Sequence, residues 1–315
     1  MADKKIIAVV GATGAQGGGL VRAILGDSSG AFAVRALTRD VNSEKAQELA
    51  KLGAEVVEAD LDNGPSLRAA FDGAYGAFCV TFFFEHFVPE KELVQAAAMA
   101  QAAKQAGLKH VVWSTFEDTR KFVPLTDDRM PTLMEKYKVP HFDAKGEANK
   151  AFSQFGVQVT YMLTSFYWDN LIFGMGPKKG ADGKLELTLP MGDKRLAGIA
   201  AEDIGKSAFC IFKAGFDLLG KTVGVAGDHL TGAQMAAALA KELGQAVSYN
   251  PLSPEQFRQL GTPGADELGN MFQFMQDFES EFCAARNLDS ARALNPSLQT
   301  FGGWLSRNKD RIPRT

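Results

Sequence analysis

The stretch Ile6-Ile7-Ala8-Val9-Val10-Gly11-Ala12-Thr13-Gly14-Ala15-Gln16-Gly17-Gly18-Gly19-Leu20 decides the fold. Five apolar residues in a row, without polar alternation, describe a strand covered on both faces, as in parallel sheets. Glycines follow at once, and from Leu20 to residue 25 apolar residues return at helical spacing. Strand, glycine-rich turn and helix in that order form a dinucleotide-binding opening. Gly11 makes the tight turn, Gly14 lets the backbone approach a pyrophosphate, and Gly17 lets helix and strand pack closely. The helix N-terminus offers N–H groups and a positive dipole end to the phosphates. Ala12, Thr13, Ala15 and Gln16 complete the turn and are read with the glycines as cofactor-binding.

Outward from this unit the rhythm repeats. Strands are expected at 33–38, 54–60, 76–81, 111–113 and 157–163, and helices at 44–51, 66–71, 90–105 and 143–155. Such alternation calls for a parallel, doubly wound sheet. Beyond residue 163 it breaks down. Residues 174–184 are rich in Gly, Pro and Lys, 184–189 alternate like an exposed hairpin strand, and 222–225 form a short strand. Ser253-Pro254-Glu255-Gln256 reads as a helix start, with Ser as N-cap, Pro at N1 and Gln at N3. The expected architecture is α/β: a Rossmann doubly wound parallel sheet with a smaller, interleaved C-terminal α/β lobe. Residues 1–165, with 195–230 returning to them, form the nucleotide-binding domain. Residues 166–194 and 231–315 form the smaller substrate or partner lobe.

The end of the second strand selects the cofactor. An NAD-selective site carries an acid there for the ribose 2′-hydroxyl. This chain reads Thr38-Arg39-Asp40. The guanidinium of Arg39 is a planar fork suited to a 2′-phosphate, so NADP(H) is the expected cofactor. Asp60 and Leu61 follow the third strand, where an acidic turn reaches the adenine. Thr81 ends the fourth, and Phe82-Phe83-Phe84 follow. Adjacent aromatic side chains point in different directions, so at least one of the three is expected to line the cofactor or substrate cleft, and Phe82 and Phe83 are read as cofactor-binding.

Bulk properties narrow the class. The chain has 315 residues, net charge −3 and 46 % hydrophobic residues, an ordinary globular balance. An acidic total argues against a nucleic-acid footprint, and Arg307, Lys309, Arg311 and Arg314 read as a solvated basic terminus. Cys79, Cys210 and Cys283 are far apart and flanked by apolar residues, as buried thiols in a reducing compartment are. No Cys/His cluster has metal spacing. With no leader before the first strand and no membrane-length apolar run, a soluble cytoplasmic protein is expected, the nucleus being a second location.

The turn Gly11 to Gly18, the segments His141-Phe-Asp-Ala-Lys145-Gly-Glu147 and Tyr167-Trp-Asp-Asn170-Leu171, and Pro263-Gly-Ala-Asp-Glu-Leu-Gly-Asn270-Met271-Phe272 resemble the NmrA-like family. That family lies in the atypical branch of the short-chain dehydrogenase/reductase superfamily, and the resemblance runs over essentially the whole chain. It implies that Lys145 bonds the nicotinamide-ribose hydroxyls and that Ser165, Phe166 and Tyr167 meet the nicotinamide end, with Asp169 and Asn170 organising that loop. Active members of the superfamily place a Tyr four residues before the Lys and a Ser near the end of strand five. Here Ser114 and Thr115 occupy the strand end, but His141 stands where the Tyr should be. The catalytic set is therefore unassigned, with Lys145 and His141 as the candidates in an enzyme. An intact binding half with a displaced catalytic half implies an NADP(H)-binding regulatory protein, a redox sensor acting through protein partners. The alternative is an NADPH-dependent reductase of quinones or carbonyls using Lys145 with His141 or water. A nucleic-acid-binding repressor ranks last. A homodimer and a small-molecule substrate remain open.

Overall fold

The computed structural model describes residues 4–180 and 183–314. In chain order the strands are β1 (Lys5–Val9), β2 (Phe32–Thr38), β3 (Glu55–Glu58), β4 (Gly76–Cys79), β5 (His110–Thr115), β6 (Val159–Leu163) and β7 (Phe166–Tyr167). They continue as β8 (Lys178–Lys179), β9 (Leu185–Thr188), β10 (Arg195–Ile199), β11 (Thr222–Gly224), β12 (Asp228–Thr231) and β13 (Val247–Asn250). The helices begin with α1 (Ala15–Leu25), α2 (Glu44–Lys51), α3 (Gly64–Phe71), α4 (Pro89–Gln105), α5 (Pro140–Gln154) and α6 (Ala201–Ala214). After these come α7 (Gly232–Leu243), α8 (Pro254–Arg258), α9 (Ala265–Asp277), α10 (Glu279–Ala285), α11 (Leu288–Leu294) and α12 (Phe301–Asn308). The chain divides into two compact units. The first holds Met1–Asp118, Ala144–Leu163 and Ala201–Val223; the second holds Thr119–Asp143, Thr164–Ala200 and Gly224–Thr315.

The first unit is built on one seven-stranded sheet in the order β11-β6-β5-β4-β1-β2-β3. From β3 to β6 every pairing is parallel. The order reverses between β1 and β4, and in such sheets the crevice beyond the carboxyl ends of those strands is where nucleotides bind. Ile7, Ala8 and Val9 have no exposed surface, which explains the unbroken apolar run of β1. Leu67, Phe71, Met99, Trp113 and Phe152 pack from α3, α4, β5 and α5 into one core on the sheet. Helix ends follow local chemistry: Ser43 caps α2, and Asn63 caps α3 with Pro65 in its first turn.

The second unit carries two three-stranded sheets, β12-β10-β7 and β13-β9-β8. The expected exposed strand at 184–189 is corrected here. β9 is the middle strand of its sheet, parallel to β13 and antiparallel to β8, and Leu185 and Leu187 are buried. Its alternation records one buried face, not an edge. Part of the 174–184 segment, residues 181 and 182, lies outside the described residues. The Ser253 helix start is present as a full capping box, with Gln256 reaching back to the Ser253 N–H. Helix α5 begins at Pro140, three residues before the expected start. The reason is Asp143, whose fully buried carboxylate accepts from Thr119 N (2.7 Å), Thr119 Oγ1 (2.5 Å), Lys138 N (2.8 Å) and Val139 N (3.1 Å). It fixes the entry of the helix and gathers the preceding loop.

Candidate dinucleotide site

Along the carboxyl edge of the first unit's sheet, each strand end contributes one residue group. After β1 the chain turns at Gly11 with φ +64°, a conformation that side chains disfavour. Helix α1 then starts at Ala15, with Gly14 as an N-cap that offers no side chain to its first turn. A Cβ on Gly17 would stand 2.4 Å from the Gly11 carbonyl oxygen, so only glycine lets α1 sit this close to the turn. Gly14 and Ala15 are exposed, Ala12 and Gly17 are buried, and Thr13 and Gln16 lie between. The turn therefore bares backbone at the helix start, as a pyrophosphate cradle requires.

Arg39 follows β2 and is largely exposed, its Nη1 bonded to Glu85 Oε1. That carboxylate raises the Arg39 guanidinium further above the arginine range, with Asp60 and Asp62 adding to it. Asp40 turns into its own loop, where Oδ1 accepts from Asn42 N at 2.8 Å. After β3, Asp60 Oδ1 accepts from Asp62 N at 2.9 Å, and Leu61 packs on the core. Asp62 bonds Lys91 (2.8 Å) and Gln95 (2.9 Å), which hold its carboxyl below the usual range.

Strand β4 stops at Cys79, and Thr81 lies two residues beyond it, buried. Phe82 is exposed and Phe83 is buried. Lys145, on α5, is buried with its ammonium fully engaged: Nζ donates to Thr81 O (2.9 Å), Thr81 Oγ1 and Glu92 Oε2 (2.7 Å). Glu92, in the first turn of α4, has no exposed surface and also accepts from Thr81 Oγ1 at 2.5 Å. Burial draws the Lys145 ammonium below the lysine range, and Glu92 acts in the opposite direction. Ser114 is buried at the end of β5, while Thr115 Oγ1 donates to the Lys145 carbonyl at 3.0 Å and so ties strand to helix. Glu92 and Glu85 escaped sequence reasoning. Their one signal was an acidic residue near a helix start or strand end, which many surface residues share.

The remaining expected residues belong to the second unit. Ser165 Oγ donates to Val225 O at 3.0 Å, Phe166 packs against Phe272, and Tyr167 is half-buried. His141 is buried; its backbone N donates to Glu267 Oε1 at 2.9 Å and its Nδ1 pairs with the same oxygen. Asn270 Nδ2 donates to Lys138 O (2.6 Å) and Pro131 O (2.8 Å). His141 and Glu267 are thus bonded partners within this unit, as are Lys138 and Asn270, and Glu267 is a further residue sequence reasoning missed. Among the described residues no cluster of His, Cys, Asp and Glu can hold a metal ion. No helix of the described residues is long and apolar enough to cross a membrane. Cys79, Cys210 and Cys283 are free thiols, each pushed up by burial.

Comparison with known proteins agrees with this arrangement. An NmrA-like family domain-containing oxidoreductase of Aspergillus hancockii is 30 % identical over 339 residues, covering 98 % of each chain. The crystal structure of NmrA, a negative transcriptional regulator, in complex with NADP superposes with a TM-score of 0.78 at 24 % identity, over 96 % of this chain and 94 % of that one. An NADPH-dependent quinone oxidoreductase of Escherichia coli superposes with a TM-score of 0.70 at 24 % identity, over 96 % and 98 %. At these identities the structural likenesses establish the fold. The sequence profile of the NmrA-like family matches residues 3–305, and the chain belongs to that family.

Proposed function

We propose that this chain binds NADP(H) at the β1–β4 crevice and acts as a cofactor-responsive regulatory protein working through protein partners. The observation that carries the binding half is the bare turn Gly11–Gly17 opening α1, with Arg39 placed beyond β2. These residues fit a dinucleotide: the turn for the pyrophosphate, Arg39 for the 2′-phosphate, Asp60 and Leu61 for the adenine end and the exposed Phe82 beyond it, with the buried Thr81, Phe83 and Lys145 backing that edge. NADP(H), when bound, supplies a hydride donor or acceptor. The regulatory half is supported by the state of both candidate proton donors. Lys145 directs its three N–H groups at Thr81 and Glu92, and His141 is held by Glu267. Each candidate donor is thus already bonded to a carboxylate.

A second reading, an NADPH-dependent reductase of quinones or carbonyls, is favoured by the oxidoreductase relative that spans the whole chain. NADPH turnover against a quinone and carbonyl panel separates the two. The regulatory reading expects a melting shift with NADPH, lost in Gly14→Val, slower amide exchange in residues 116–140, and negligible turnover. A turnover number of ~1 s⁻¹ or more hands the case to the reductase. No NADPH-induced shift in the wild type removes both readings.

A further inference from the structure

The residue that reads the ribose 2′-position in a Rossmann site normally lies at the end of the second strand. In this chain that place is filled by Arg39, and the neighbouring acid, Asp40, is spent on Asn42 N. A different carboxylate meets the Arg39 guanidinium from the turn after β4. Glu85 closes the short 3₁₀ turn Phe83–Glu85 after β4, and its Oε1 bonds Arg39 Nη1. The turn is held in place, because Phe83 is buried and its ring meets Phe84 and Phe87 edge-on at 5.5 and 5.7 Å. Backbone bonds from His86 N and Phe87 N to Phe83 O close it. Glu85 is therefore presented to Arg39 by a fixed element, while the pair itself stays open to solvent.

Around Arg39 stand Glu85, Asp60 and Asp62, with Lys91 as the second cation, bound to Asp62. Three carboxylates against two cations weaken the pull of Arg39 on a doubly charged phosphate without cancelling it. A ribose 2′-hydroxyl, which donates one hydrogen bond, meets an acceptor there instead. Exposed ion pairs are weak enough to exchange partners.

Resting on the dinucleotide reading above, we propose that Glu85 is a specificity determinant of the site. Its carboxylate accepts the 2′-hydroxyl of NAD(H) and competes with the 2′-phosphate of NADP(H) for Arg39, so the chain accepts both cofactors and its preference is set by this pair.

The test is titration of wild type, Glu85→Gln, Glu85→Ala and Arg39→Ala with NADPH and with NADH, following protein fluorescence. Glu85→Gln removes the charge and keeps an acceptor, so NADPH binding should tighten by about three- to tenfold while NADH changes little. Glu85→Ala removes both, so NADPH tightens and NADH weakens. Arg39→Ala should weaken NADPH alone. An NADPH-to-NADH affinity ratio that is the same in wild type and both Glu85 variants overturns the role of Glu85 and leaves the dinucleotide site standing. Failure of the wild type to bind either cofactor overturns the site and this inference with it. Melting temperatures within a degree of wild type are expected for both Glu85 variants, since the side chain is exposed.

Discussion

Replacing Glu92 with Gln probes the most heavily buried charge pair of the first unit. Glu92 has no exposed surface and Lys145 almost none, and their contact is 2.7 Å. Loss of the carboxylate charge leaves the ammonium with two Thr81 oxygens and a neutral amide oxygen but no counter-charge. Breaking a buried pair from one side costs about 3–5 kcal/mol, equivalent to a melting shift of roughly 6–15 °C. The pH dependence carries the sign. Burial already draws the Lys145 ammonium below its ordinary 10.5, and Glu92 is what raises it. In Glu92→Gln the folded value drops further, so between that value and 10.5 the unfolded chain binds more protons than the folded one. Stability of the variant must then rise with pH across that window, and its deficit against wild type must shrink from pH 7 towards pH 10. Urea unfolding of both proteins at several pH values measures this. The double variant Glu92→Leu/Lys145→Met, with both charges gone, should recover to within about 1 kcal/mol of wild type or exceed it. A deficit that is the same at pH 7 and pH 10, or a double variant as weak as the single one, would refute the buried-pair account.

Two further outcomes follow from other buried polar groups. His110 donates through Nε2 to Thr160 Oγ1 (2.9 Å), which itself donates to Leu218 O, and burial pushes the imidazole down from 6.5 to about 4. The folded protein thus stays neutral there while the unfolded chain takes up a proton, so stability is full above pH 6.5 and lost as pH falls towards 4, by about 3 kcal/mol; His110→Asn should flatten that fall in urea midpoints, and an unchanged slope would contradict it. Asp143→Ala strips four donors of their acceptor at once and should cost about 3 kcal/mol or more, read by denaturant titration; limited proteolysis should then cut within residues 119–139 before it cuts elsewhere, and intact resistance there would deny Asp143 its role.

What could be read from the chain and what could not differ by the range of the interaction. The β1–turn–α1 unit was legible because everything that fixes it is local: an apolar run for a doubly covered strand, Gly11 for a left-handed backbone, Gly17 for contact within six residues. The helix start at Ser253 was legible for the same reason, its capping box closing over three residues. Position 39 was legible as a basic residue after β2, but its partner was not, since Glu85 lies 46 residues on. Glu92 is 53 residues from Lys145, and Glu267 is 126 from His141. Residue types announce that a buried lysine or histidine needs a counter-charge; only the fold decides which of the chain's many carboxylates arrives. The start of α5 was misplaced for a similar reason. Asp143 looked like a helix N-terminal acid, and its bonds to Thr119 show that it is the hub of a loop that precedes the helix.

His141 and Lys145 are the two candidate proton donors, one in each unit. Proton transfer in this class of site needs a group that gives up its proton when charge develops on a substrate oxygen. A tyrosine phenol beside an ammonium meets that need, because the cation stabilises the phenolate. Here the ammonium is present, but its charge is already met by Glu92, and the phenol is replaced by an imidazole whose own Nδ1 meets Glu267. The candidate phosphate-binding turn is differently disposed: Gly11, Gly14 and Gly17 stand at its bends and the helix start is bare.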